Sequence, residues 1–73
     1  MKINGREIKP GADLRGVNLK GVNLEGANLK GVNLECAYLS FTNLKDAVLV
    51  GADLEGADLE GAKLKGTILE NNS

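Results

Sequence analysis

Residues 12–31 read ADLRG VNLKG VNLEG ANLKG, and this stretch decides the architecture. Leucine returns every five residues, at Leu14, Leu19, Leu24 and Leu29. The spacing continues without gap or insertion through Leu34, Leu39, Leu44, Leu49, Leu54, Leu59, Leu64 and Leu69. With each leucine as position i, i−2 is always Ala, Val or Thr, i−1 is mostly Asn or Asp, and i+1 is mostly Lys or Glu. Position i+2 is Gly in eight of the twelve repeats; Cys36, Phe41, Asp46 and Asn71 take the other places.

A five-residue period matches neither the helical repeat nor a heptad, and Gly with Asn at this density opposes helix. In an extended segment i−2 and i share a face, so the small residue and the leucine are buried together while i−1 points to water. The remaining two residues must turn the chain. A type II turn from Leu through i+1 and i+2 to the next i−2 residue needs a positive φ at its third residue, which is where Gly stands. One short side and one corner per pentapeptide wind the chain into a coil with the leucines inside.

The units ADLRG, VNLKG, VNLEG and ANLKG, continued from Ala12 to Asn71, resemble the pentapeptide-repeat family and its signature A(D/N)LXX. The resemblance implies an all-β fold, a right-handed quadrilateral parallel β-helix with four pentapeptides, about twenty residues, in each coil. Residues 12–71 then give about three coils, a tower roughly 14 Å tall at the ~4.8 Å spacing between strands. The whole of 1–73 reads as one domain: a degenerate lead-in over 1–11, twelve repeats over 12–71 and a tail at 72–73. Ile3 and Ile8 keep the five-residue spacing but sit one register out from Leu14, so residues 1–10 are read as two degenerate repeats with Pro10 at a corner. Beyond Leu69 no apolar helix covers the last coil, and that end is expected to be open.

With four repeats per coil, residues twenty apart stack, and the outward side chains sort into four faces. Arg15 stands over Glu35 and Glu25 over Lys45, as expected opposite-charge rungs. Val48, Val50 and Ile68 put apolar groups where polar ones are usual, and Tyr38 and Phe41 are the only aromatic residues. These five are the candidate interaction face, with packing against a terminal segment and tolerance at an outward corner as the plainer readings. The coil carrying Leu54, Leu59, Leu64 and Leu69 is the candidate for end stacking on a second copy. Related proteins often dimerise through a terminal coil, so the resemblance implies a homodimer as well.

The chain has 73 residues, one Cys, no His and a net charge of −1. One Cys forms no internal disulfide, and without His the commonest metal ligand and general base are missing. Glycines five apart, as in GVNLKG, imitate half of a P-loop but lack its Lys-Ser/Thr pair. Asp53, Glu55, Asp58 and Glu60 fall on two faces without EF-hand spacing, Cys36 has no activating base, and the Asn71-Asn72-Ser73 sequon lacks any sign of secretion. No leader is expected at the start of the chain, and no apolar run is long enough to span a bilayer. No catalytic residue, cofactor or metal is expected. A cytoplasmic structural or protein-interaction module follows, without direct contact to nucleic acid or membrane. The alternative implied by the resemblance is a DNA mimic that inhibits or protects a gyrase-type topoisomerase.

Overall fold

Residues twenty apart lie side by side in the computed structural model, which describes residues 2–69. Parallel bridges join Asp13 to Asn33 and Asn33 to Asp53 on side 1, and Asn18 to Tyr38 and Tyr38 to Asp58 on side 2. Side 3 joins Asn23 to Asn43 and Asn43 to Lys63, and side 4 joins Asn28 to Val48. Met1, Glu70, the expected corner at Asn71 and the expected tail at 72–73 lie outside the described residues.

The pentapeptide Val32–Cys36 shows why five residues suffice for one side and one corner, because each of its amide donors has a place. Val32 N–H closes the preceding turn on the Leu29 carbonyl at 3.1 Å. Asn33 donates to Ala12 at 2.9 Å, Leu34 to Asp53 at 2.7 Å and Cys36 to Glu55 at 2.8 Å. Glu35 N–H goes to Oδ1 of Asn33 at 3.0 Å, an Asx turn across the corner. Buried backbone donors must be paired, and here one side-chain oxygen completes the set. The bond recurs from Arg15, Lys20, Glu25, Lys30, Lys45, Glu55 and Glu60 to the Asn or Asp two residues earlier. The i−1 residue is therefore a cap as well as a solvated group.

The leucines form the expected interior column. From Leu14 to Leu49 all are at most 1% exposed, with Val32, Ala37 and Thr42 beside them. Thr42, where Ala is usual, donates Oγ1–H to the Leu19 carbonyl at 2.7 Å, so its hydroxyl is buried without an unmet hydrogen bond.

Corners take the left-handed conformation at i+2, as a type II turn demands. Three of them do so without glycine: Cys36 (φ 59°), Phe41 (φ 59°) and Asp46 (φ 60°). The residue twenty later is Gly each time. A Cβ on Gly61 would stand 2.6 Å from two ring carbons of Phe41, and one on Gly56 would stand 3.2 Å from Cys36 Sγ. A side chain at one corner thus occupies the space that a side chain at the next would need.

The two ends differ. Residues 2–7 form a hairpin instead of the expected degenerate repeats: β1 (Lys2–Ile3) and β2 (Arg6–Glu7) pair antiparallel, Lys2 with Glu7 and Ile3 with Arg6. Asn4 (φ 55°) and Gly5 (φ 77°) supply the two positive φ angles of a type I′ turn, whose twist matches a hairpin. Ile8 is buried in the core cluster and Ile3 packs against it, so the hairpin closes the end at Leu14–Leu29. Asn4 Nδ2 donates to the Asn18 carbonyl at 2.6 Å and Arg6 Nη1 to that of Asp13 at 3.3 Å. The first repeat corner is Lys9-Pro10-Gly11-Ala12, closed by Ala12 N–H on the Lys9 carbonyl at 3.1 Å. At the opposite end Leu54, Leu59, Leu64 and Leu69 are only half-buried among the described residues, and what residues 70–73 add there lies outside them.

Candidate docking surface

A column of leucine leaves no room for a ligand inside, so recognition falls to the outer sides and the ends. Tyr38, Phe41, Val48, Val50 and Ile68 are the exposed large hydrophobic residues, between 43% and 66% accessible. They do not form one patch. Tyr38 is a rung of side 2 and Phe41 occupies the corner that follows it, whereas Val48 and Val50 belong to side 4, across the tower. Ile68 does not continue the Val48 rung among the described residues. Thr67 Oγ1 instead donates to the Leu64 carbonyl at 2.7 Å and accepts from Leu69 N–H at 3.1 Å, turning the chain there.

Charge is arranged by side and by level. In residues 52–69 side 1 and its corner carry Asp53 and Glu55, side 2 and its corner carry Asp58 and Glu60, and side 3 and its corner carry Lys63 and Lys65, all exposed. Among the described residues neither Lys63 nor Lys65 has a carboxylate within ion-pair distance, and Arg15 pairs with Asp13, at 3.2 Å. The expected rungs Arg15–Glu35 and Glu25–Lys45 are not made. Asp13 lies two residues from Arg15 in the same turn and meets the guanidinium through both oxygens, which a residue on the next level reaches less readily. The Arg15 side chain, and then its backbone N–H, hold the Asp13 carboxyl below its ordinary pKa; Asp13 in turn raises that of Arg15.

Beside the hairpin, Arg6, Asp13, Arg15, Glu35 and Cys36 line a shallow open depression. Cys36 is an exposed free thiol at a strained corner. No group of acidic, His or Cys side chains among the described residues could hold a metal ion, and no described helix is long and apolar enough to cross a membrane. Sequence reasoning did not foresee the capping role of Asn and Asp or the contacts that Asn4 and Arg6 make at the closed end. The dipeptide Asn4-Gly5 between two short extended segments was the available signal for the latter.

The family described as pentapeptide repeats (8 copies) matches residues 10–35 and 33–71. This chain belongs to the pentapeptide-repeat family. A pentapeptide-repeat protein from the thylakoid lumen of Arabidopsis thaliana is 32% identical, over 80% of this chain and 43% of that one, with a TM-score of 0.57. Rfr23 from the cyanobacterium Cyanothece 51142 is 45% identical, over 81% of this chain and 37% of that one, with a TM-score of 0.37. HetL, involved in heterocyst differentiation regulation in Nostoc sp. strain PCC 7120, is 38% identical over 88% and 35%, with a TM-score of 0.31. The chain thus spans less than half the length of each of these pentapeptide-repeat proteins. No curated protein matches it.

Proposed function

We propose that the chain is a non-catalytic, cytoplasmic structural module, a right-handed quadrilateral β-helix of about three coils, which pairs with a second copy through the coil carrying Leu54, Leu59, Leu64 and Leu69. The observation that carries this reading is the contrast between the ends. The leucines of residues 12–51 are sealed, whereas Leu54, Leu59, Leu64 and Leu69 are partly exposed, and the Leu59 and Leu64 amides beside them have no backbone partner among the described residues. Unpaired strand edges invite pairing with another chain. Analytical ultracentrifugation between 1 and 100 μM, about the range in which weak homodimers form, tests it: a concentration-dependent dimer is expected, and a monomer throughout overturns it.

Lateral docking of a protein partner has support in the exposed Val48 and Val50 on side 4. A DNA mimic has less support. Its acidic surface would run through Asp53, Glu55, Asp58 and Glu60, but Lys63 and Lys65 interrupt it on the same level, and the net charge is only −1. A gyrase supercoiling assay separates the readings, because a scaffold neither inhibits nor protects the enzyme.

A further inference from the structure

We infer that Asn4 is a site of spontaneous deamidation by water, and that its conversion unlatches the hairpin that covers Leu14–Leu29. The cap is held by a bond that hydrolysis cuts irreversibly.

Asparagine is a chemically labile side chain, and its surroundings decide whether it reacts. The reaction is an attack by the next residue's amide nitrogen on the side-chain carbonyl carbon. Gly5 follows Asn4, so no side chain crowds that approach. The nitrogen is also available: Gly5 N–H makes no hydrogen bond with a described residue, and Asn4 and Gly5 are both exposed. Asn18, Asn23, Asn28, Asn33 and Asn43 differ on both counts. Each precedes a buried leucine whose N–H is committed to the next level, as that of Leu34 is to the Asp53 carbonyl at 2.7 Å.

The same asparagines also differ in the atom they use. At the corners the working atom is Oδ1, as in the bond from Glu35 N–H to Asn33 at 3.0 Å, and an aspartate serves equally well there, as Asp53 and Asp58 do. Asn4 works through its nitrogen. Nδ2 donates to the Asn18 carbonyl at 2.6 Å, and deamidation removes that very atom.

The steps balance without any oxidant or reductant. Gly5 N bonds to Cγ of Asn4 and gives its proton to solvent, the Cγ–Nδ2 bond breaks, and Nδ2 leaves as ammonia. Water then opens the resulting five-membered imide at either carbonyl, leaving aspartate or isoaspartate at position 4. Ring closure needs the Asn4 amide to turn from Asn18 back to its own main chain, so the hairpin must open first. Its side-chain tethers to the first level are this bond and that of Arg6 Nη1 to the Asp13 carbonyl at 3.3 Å, and such local opening costs far less than opening the ladder.

Either product keeps the hairpin from closing again. An aspartate sets a carboxylate against the Asn18 carbonyl, acceptor against acceptor. An isoaspartate adds a methylene to the main chain of a two-residue turn, whose angles at Asn4 (φ 55°) and Gly5 (φ 77°) set the pairing of Lys2 with Glu7 and Ile3 with Arg6. Release frees Ile3 from the core cluster and returns the Asp13 and Asn18 carbonyls to an uncovered sheet edge.

The test ages the full chain at mildly alkaline pH and physiological temperature, with peptide mapping by mass spectrometry to follow each asparagine. Asn4 should convert about tenfold or more faster than Asn18, Asn23, Asn28, Asn33 or Asn43, with isoaspartate among the products, and faster still in Arg6→Ala. NMR then reads the cap. In the converted chain and in Asn4→Asp, cross-peaks from the Ile3 side chain to the core should fall by about twofold or more, while the Leu34 and Leu39 amides keep their protection. Conversion at Asn4 no faster than at the other five, or no faster in Arg6→Ala, overturns the site and its route. Conversion that leaves the Ile3 cross-peaks intact, or that also strips protection from Leu34 and Leu39, overturns the latch.

Discussion

Placing an alanine at Gly61 tests how one corner excludes another. Two costs arise. Gly61 has φ +69°, and an L-residue in the left-handed region loses about 1–2 kcal/mol relative to glycine. The new Cβ would also lie 2.6 Å from Cδ1 and Cε1 of Phe41, about 1 Å inside normal carbon contact, so the ring must swing away. Phe41 is 58% exposed and free to move outward, which limits this second cost to the contacts it loses, about 0.5–1.5 kcal/mol. Gly21 is the control, since at φ +70° it has nothing within 4 Å of its would-be Cβ and carries only the backbone cost. A double-mutant cycle of Gly61→Ala and Phe41→Gly, read by urea denaturation, isolates the steric part because the backbone part is common to both arms. The expected order is Gly61→Ala worse than Gly21→Ala in the wild-type background and equal to it beside Phe41→Gly. A coupling energy indistinguishable from zero would refute the reasoning.

Three further outcomes follow from the same geometry. Leu34→Ala opens a cavity in a side chain that is 0% exposed and should cost about 2–5 kcal/mol, against less than about 1 kcal/mol for Glu35→Ala, whose side chain points outward; equal losses in denaturation midpoint would break the inside–outside assignment. Tyr38→Asn restores the missing Asx acceptor for Ser40 N–H and should stabilise by about 0.5–1.5 kcal/mol, checked by the same titration. Asp13 should titrate below the ordinary aspartate range by NMR and return toward it in Arg15→Ala. Because its folded value is depressed, the Asp13–Arg15 contribution is present above the unfolded pKa and is lost as pH falls through the folded one, so the variant should lack that acid-side loss.

The interior was legible because leucine and a small residue recur at a spacing no other element shares, and the corners because a positive φ leaves few choices at i+2. The rest depends on directions that a sequence does not carry. Ile3 and Ile8 keep the repeat spacing, and on periodicity alone they extend the coil. Asn4-Gly5 between them fixes a I′ turn instead, and local turn chemistry prevails over a two-point period. Arg15 could reach Glu35 across levels or Asp13 within its turn, and the shorter tether prevails. The exposed residues Tyr38, Phe41, Val48 and Val50 were identifiable as outward from register. Their division between opposite sides follows from twenty residues to a level, which the resemblance implies and the bridges show.

The amide accounting also separates outward positions that answer to the fold from those that do not. The i+1 residues, among them Lys20, Glu25, Lys45 and Glu55, contribute only backbone groups to the corner, so their side chains are unconstrained by it. The i−1 residues are constrained, because an Asn or Asp oxygen is the acceptor for that N–H. Tyr38, Val48 and Lys63 are among the residues that break the rule, and Ser40, Val50 and Lys65 lose an acceptor as a result. Each break forgoes a hydrogen bond worth about 0.5–1.5 kcal/mol that a single Asn would supply. The corner hydrogen bond alone therefore favours Asn at all three places. One is aromatic on side 2, one aliphatic on side 4 and one cationic on side 3, so these three exceptions differ in chemistry and in direction.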